Sequence, residues 1–137
     1  MIDISIIIDS SIIVSAYNTD DQNHEKGLKI INDIESEKYG KEVIISDFIF
    51  DETMTAIFVR TKDKETAAKV GKHLMNSCII LKVTEKIFSD AFGVFSRKNS
   101  MSFTDCTIIS MAEAYGISHI ATFDKKMKRH FRNCIDA

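Results

Sequence analysis

The chain contains no proline and no tryptophan, only five glycines, and three cysteines. Each scarcity excludes something. Without proline there is no polyproline recognition segment, and the most obvious markers of a domain boundary are missing. The glycines stand singly, so there is neither a glycine-rich phosphate loop nor a Gly-x-Ser-x-Gly nucleophile elbow. Cys78, Cys106 and Cys134 are odd in number and match neither a zinc motif nor a redox pair. They read as free core thiols in a reducing compartment. No two of His24, His73, His119 and His130 fall on one helical turn, which speaks against zinc. No apolar run approaches the roughly 20 residues that cross a bilayer, and Met1-Ile2-Asp3 puts an acid where a signal peptide carries basic residues. The expected location is cytoplasmic, away from membranes.

What is present suits one globular domain spanning 1–137, with 45% hydrophobic and 28% charged residues. At this length roughly two-thirds of the unfolded chain's surface is buried on folding, enough for a sizeable core. Ile4 to Ile8, Val43 to Ile45, Cys78 to Val83 and His119 to Thr122 are short apolar runs rich in β-branched residues, the pattern of buried parallel strands. A last short strand is expected through 133–136. Between these runs lie helical patterns over 11–17, 22–39, 47–61, 64–76, 85–97 and 104–115. Gly40 and Gly116 follow two of them, where left-handed caps are wanted. Strand alternating with helix predicts an α/β three-layer sandwich, a parallel sheet of four to five strands flanked by helices.

Net charge is −2, so nucleic acid cannot be held by bulk positive charge. Positive charge is nevertheless local: Lys125, Lys126, Lys128, Arg129 and Arg132 fall within eight residues that include no acid. They form either a solvated face or a phosphate-contacting patch.

Four acids occupy unusual places. Asp9 and Asp124 follow strand-like runs, at the carboxyl edge where open α/β sheets bind ligands. Each has a bland explanation as a helix cap. Glu52, at about 100° per residue, falls among Phe48, Ile49, Ala56 and Val59 and is expected to point inward, whereas Asp51 points outward. A buried carboxylate needs a counter-charge, so an inward Glu calls for an ion pair or a metal. Asp105 opens a helix with Ile108, Ile109 and Ala112 on its own stripe, although Ser102-x-x-Asp105 is also a capping-box pattern. If one crevice gathers all four, their repulsion demands a cation or raised pKa values. An all-oxygen set favours Mg²⁺ or Mn²⁺ over zinc, and hence a metal-dependent phosphodiesterase.

Ile-Ile-Ile-Asp9-Ser-Ser, the Glu52 helix after the second strand, Ser102-Phe-Thr104-Asp105 opening a helix, and Ala-Thr122-Phe-Asp124 after a strand together resemble a PIN domain of the VapC toxin ribonuclease type. The likeness covers essentially the whole chain. It implies strand order 3-2-1-4-5, a Mg²⁺- or Mn²⁺-dependent endoribonuclease, homodimerisation and neutralisation by a small antitoxin. Asp9, Glu52, Asp105 and Asp124 match the family's acidic positions, and Thr104 matches a supporting hydroxyl. Asp9 and Asp105 are expected as principal metal ligands, Glu52 as ligand or water-positioning base, and Asp124 as an outer or second-metal contact.

RNA approaching such a site needs basic side chains, drawn from Arg60, Lys62, Arg97, Lys98 and the group Lys125, Lys126, Lys128 and Arg129. Single-stranded or looped RNA is the expected substrate. Tyr17 and Phe103 are candidates to stack on bases, while the nine phenylalanines are expected mostly in the core. The helix over 64–76 either packs on the sheet or offers a dimer or antitoxin surface. Aspartyl-phosphate phosphatases want an acid where Ser11 stands, and receiver domains want one where the third strand runs into Lys82-Val83-Thr84. The remaining alternatives are a PIN-like binding module without turnover, or a PIN nuclease of RNA processing that has no antitoxin.

Overall fold

The computed structural model describes residues 5–97 and 100–136. Ile4 and Lys98 lie outside them. Five parallel strands form one sheet: β1 (Ser5–Ile8), β2 (Glu42–Ser46), β3 (Ile79–Leu81), β4 (His119–Ala121) and β5 (Cys134–Ile135), in the order β3-β2-β1-β4-β5. Every residue of β1 is buried, which is why Ser5 is followed by three consecutive isoleucines and the strand does not alternate. It is central: Ile7 pairs with Ile44 on one side and Ile120 on the other.

The crossovers carry α1 (Ser10–Tyr17), α2 (His24–Glu35), α3 (Asp47–Thr61), α4 (Lys64–Ser77), α5 (Glu85–Phe95) and α6 (Phe103–Tyr115), followed by the single-turn α7 (Lys125–Lys128). The chain steps outward through β1, β2 and β3, then jumps back to β4. Right-handed crossovers therefore put α1 to α4 on one face and the packed pair α5 and α6 on the other. The order reverses at β1 and β4, so the carboxyl ends of these two strands open the crevice expected of such a sheet.

Isoleucine fills the interior: Ile6, Ile7, Ile12, Ile13, Ile45, Ile49 and Ile120 are all fully enclosed. The phenylalanines do not join them, contrary to expectation. Phe58, Phe88, Phe92 and Phe95 are exposed and the other five are half-buried. Slim β-branched side chains satisfy a short-stranded sheet covered on both sides, leaving the bulky rings for its periphery. The apolar stripe of α4 is spent inside, with Ala67, Val70, Gly71 and Leu74 buried.

Boundaries follow local chemistry. Ser46 and Ser102 accept from the amides of Ile49 and Asp105, at 3.0 and 3.1 Å, and so start α3 and α6. Gly116, at φ 64°, ends α6 as expected of a left-handed cap. Helix α2 stops at Glu35, short of the expected Tyr39, because Glu37 turns left-handed at φ 63°. Gly40 then serves the turn into β2 and does not cap the helix itself. Gly27 lets α2 lie against α1; a Cβ there would stand 2.1 Å from the Ser15 Oγ. Among the described residues, no helix is long and apolar enough to cross a membrane.

Candidate metal and nucleic-acid site

Asp9 leaves the end of β1 with its amide bonded to the Ala121 carbonyl of β4 at 2.9 Å, which fixes it at the switch point. It occupies the N-cap position of α1, yet its carboxylate makes no capping bond. Instead, Oδ2 accepts from the Ser11 and Thr122 hydroxyls, both at 2.8 Å. Only 4% of the residue is exposed. Burial raises the Asp9 pKa, the two hydroxyls oppose that, and the charge of Glu52 adds to it.

Asp105 lies on the buried stripe of α6 beside Ile108 and Ile109, as its spacing predicts. Its pKa is pushed up to about 7, first by burial, then by a hydrogen bond with the Asp124 side chain and by the charges of Asp9 and Asp124, against a bond to Ser102. Asp124 retains its bland role as well. Its Oδ1 accepts from the Lys126 amide at 2.8 Å and so caps α7, while the Thr122 hydroxyl oxygen accepts from the Asp124 amide at 3.0 Å.

Glu52 does not point inward as its helical angle predicts. The buried face of α3 is Ile49, Thr53 and Ile57, and Glu52 is exposed beside it. Phe48 and Ala56 are half-buried and Val59 is exposed, so the stripe inferred from them is a cleft wall, with the core one residue round the helix. The Glu52 carboxylate accepts from the Ser10 hydroxyl. It therefore faces the same crevice as Asp9 without the cost of burial.

Glu52, Asp9, Asp105 and Asp124 thus form a row linked pairwise by charge and hydrogen bonds. Among the described residues, no three carboxylate, imidazole or thiol side chains are gathered as a ready-made ion cage. The donor set still fits a hard dication: all ligands are oxygens, two of the acids are buried, and the Asp105 pKa is raised first by burial and then by neighbouring acids whose repulsion a cation would relieve. Thr104 lines the cleft beside Glu52. Sequence reasoning gives Ser10, Ser11 and Thr122 no role of their own at the site. The signal is nonetheless present, because hydroxyls follow the first acid in Asp9-Ser10-Ser11 and precede the last in Thr122-Phe123-Asp124.

The basic candidates scatter. Lys125, Lys126 and Arg129 are exposed on and just after α7, while Lys128 is paired with Asp136. Lys62 is the exposed left-handed cap of α3. Arg60 extends into the cleft lined by Glu52 and Thr104.

The PIN domain family model matches residues 6–131. The chain belongs to the PIN domain family. No curated protein matches its sequence. This PIN domain superposes on VapC20 of Mycobacterium tuberculosis, a sarcin-ricin loop cleaving toxin, with a TM-score of 0.80 at 20% identity over 91% of this chain and 94% of the other. VapBC2 of Rickettsia felis, solved with a DNA fragment of its promoter, matches at TM-score 0.66 and 17% identity, covering 96% of each chain. A toxin-antitoxin complex from Klebsiella pneumoniae matches at TM-score 0.69 and 10% identity, covering 95% of each. At these identities the solved structures speak for the fold, and the strand order β3-β2-β1-β4-β5 is the one expected of it.

Proposed function

We propose that this PIN domain is a Mg²⁺- or Mn²⁺-dependent endoribonuclease and the toxin of a VapBC-type pair, with single-stranded or looped RNA as substrate. The observation that carries the reading is the row of acids at the switch point. The two most buried, Asp9 and Asp105, are far apart in sequence, and burial together with neighbouring negative charge raises the pKa of both. Asp9 and Asp105 would be the principal ligands, Glu52 a ligand or water-positioning base, and Asp124 an outer contact. When bound, the cation supplies a water of lowered pKa and offsets charge on the scissile phosphate.

The chain's own residues do the orienting. Ser11 and Thr122 clamp Oδ2 of Asp9, while the Ser10 hydroxyl holds the Glu52 carboxylate. Burial first, then the neighbouring Asp124 and Asp9, push the Asp105 pKa up to about 7, and a bound cation would lower it again.

Asp9→Asn is the direct test. Cleavage of purified transfer and ribosomal RNA with Mn²⁺ should fall by at least about a hundredfold, the upper end of what losing only a ligand's hydrogen-bonded support costs. A variant that cuts at the wild-type rate would sink the assignment. Support for an antitoxin comes from the solved toxin-antitoxin relatives, and it is checked by asking whether the neighbouring reading frame encodes a short protein that blocks cleavage. The second reading, a PIN-fold binding module without turnover, is favoured by the lack of a ready-made cage among the described residues.

A further inference from the structure

We infer that Arg60 grips a phosphate of the RNA strand in the groove beside the acids, and that Asp21 holds it in reserve until RNA arrives; this rests on the nuclease reading above. Glu52, Ala56 and Arg60 follow at intervals of four and so share one face of α3. This face is a ridge between two clefts of about 570 and 320 Å³, and all three residues line both. One cleft reaches Thr104, next to Asp105, and the other reaches Phe123, next to Asp124. A strand crossing the acids must therefore pass this ridge.

The charges along it are lopsided. Asp51 and Glu52 line the first cleft and Asp21 and Glu52 the second, whereas Arg60 is the one cation among the described residues lining either. A polyanion entering the groove meets repulsion everywhere except at this guanidinium. Ala56 leaves the surface between Glu52 and Arg60 open. At 1.5 Å per residue, the eight residues from Glu52 to Arg60 span about 12 Å of helix axis, so Arg60 meets the strand away from the scissile bond.

Asp21 suits a holding role. Its Oδ2 stands 3.4 Å from the Arg60 Nη1, and the arginine side chain is 50% exposed. Its Oδ1 is occupied by the Asn23 amide at 2.8 Å. The carboxylate is thus fixed in its turn and lacks a second free oxygen for the two-pronged bond that a guanidinium prefers. A phosphate offers both prongs. The long arginine side chain is the partner that moves, and an exposed pair at this distance resists little.

The test uses a labelled single-stranded oligoribonucleotide. Cleavage is followed with wild-type protein and Mn²⁺, and binding is followed by anisotropy at several salt concentrations in an Asp9→Asn background. Arg60→Ala should raise KM and Kd roughly tenfold, leave kcat within about twofold, and flatten the dependence of log K on log salt by about one charge. Arg60→Lys should restore the salt slope and only part of the affinity. Asp21→Asn should tighten binding by about threefold, and adding Arg60→Ala to it should give the behaviour of Arg60→Ala alone. If the wild type cuts RNA while Arg60→Ala leaves KM, Kd and salt slope unchanged, the inference is overturned and the nuclease reading stands. If Asp21→Asn binds no tighter, the reserve role falls. A wild type that cuts no RNA removes the nuclease reading and this inference together.

Discussion

Single residues carry the site's electrostatics, and Asp105 gives them a measurable form. Its pKa in the folded protein is about 7, against an ordinary 3.8, so between these values the folded state holds a proton that the unfolded chain has released. The stability conferred by the protonated carboxyl is complete below about pH 4 and is lost as pH rises through 7. Metal-free protein should therefore melt at progressively lower temperature from pH 5 to pH 8. Asp105→Asn should flatten that slope and raise metal-free stability at pH 8 by about 1–2 kcal/mol. Calorimetry across this range, with chelator present, checks it; an unchanged slope would place the shift elsewhere. Asp105 is legible in the sequence because a charge on an isoleucine stripe is too costly to keep there without a compensating partner. Glu52 is legible only in part, since it stands one position round the helix from the core. Its role facing the crevice survives, but the argument from costly burial does not, because helical angle alone cannot distinguish a core from an apolar cleft wall.

Among the elements, α5 is the one whose chemistry is unfinished. Phe88, Phe92 and Phe95 are 49%, 59% and 45% exposed and lie on one side of it, with Phe103 edge-on to the first and last of them. An exposed aromatic stripe of this kind commonly marks a surface that another protein covers. Homodimerisation, implied by the family resemblance, would place it here and not on α4, whose apolar stripe is already buried. Phe92→Glu should leave the circular dichroism spectrum unchanged and weaken self-association by at least about tenfold in sedimentation equilibrium. A variant that associates as the wild type does would exclude α5 as the contact. The sequence conceals this surface because nine phenylalanines without tryptophan suggest core filling. Only the structure reveals that isoleucine has already taken that volume.

At the scale of the whole molecule, strand-helix alternation and the unbroken apolar runs are enough to specify a parallel α/β sandwich. The strand order enters through the family resemblance, since periodicity says nothing about which strands become neighbours. Short elements escape for a physical reason: α7 is a single turn held by the Asp124 side chain, and no hydrophobic period can declare itself over four residues. Because the acids come from both ends of the chain, a cation binding them should tighten the entire fold. Mn²⁺ at a hundred times its dissociation constant should add about 2.7 kcal/mol, reversed by chelator and reduced in Asp9→Asn. A melting temperature indifferent to Mn²⁺ would favour the binding-module reading.

The Thr122 hydroxyl clamps an Asp9 oxygen across 113 positions of sequence. A ribosome elongating at roughly 5–20 residues per second needs on the order of ten seconds to travel from one to the other. During that interval the nascent chain displays its first acid without the strand that must close beside it. The candidate site is thereby completed only once nearly the whole chain has been made.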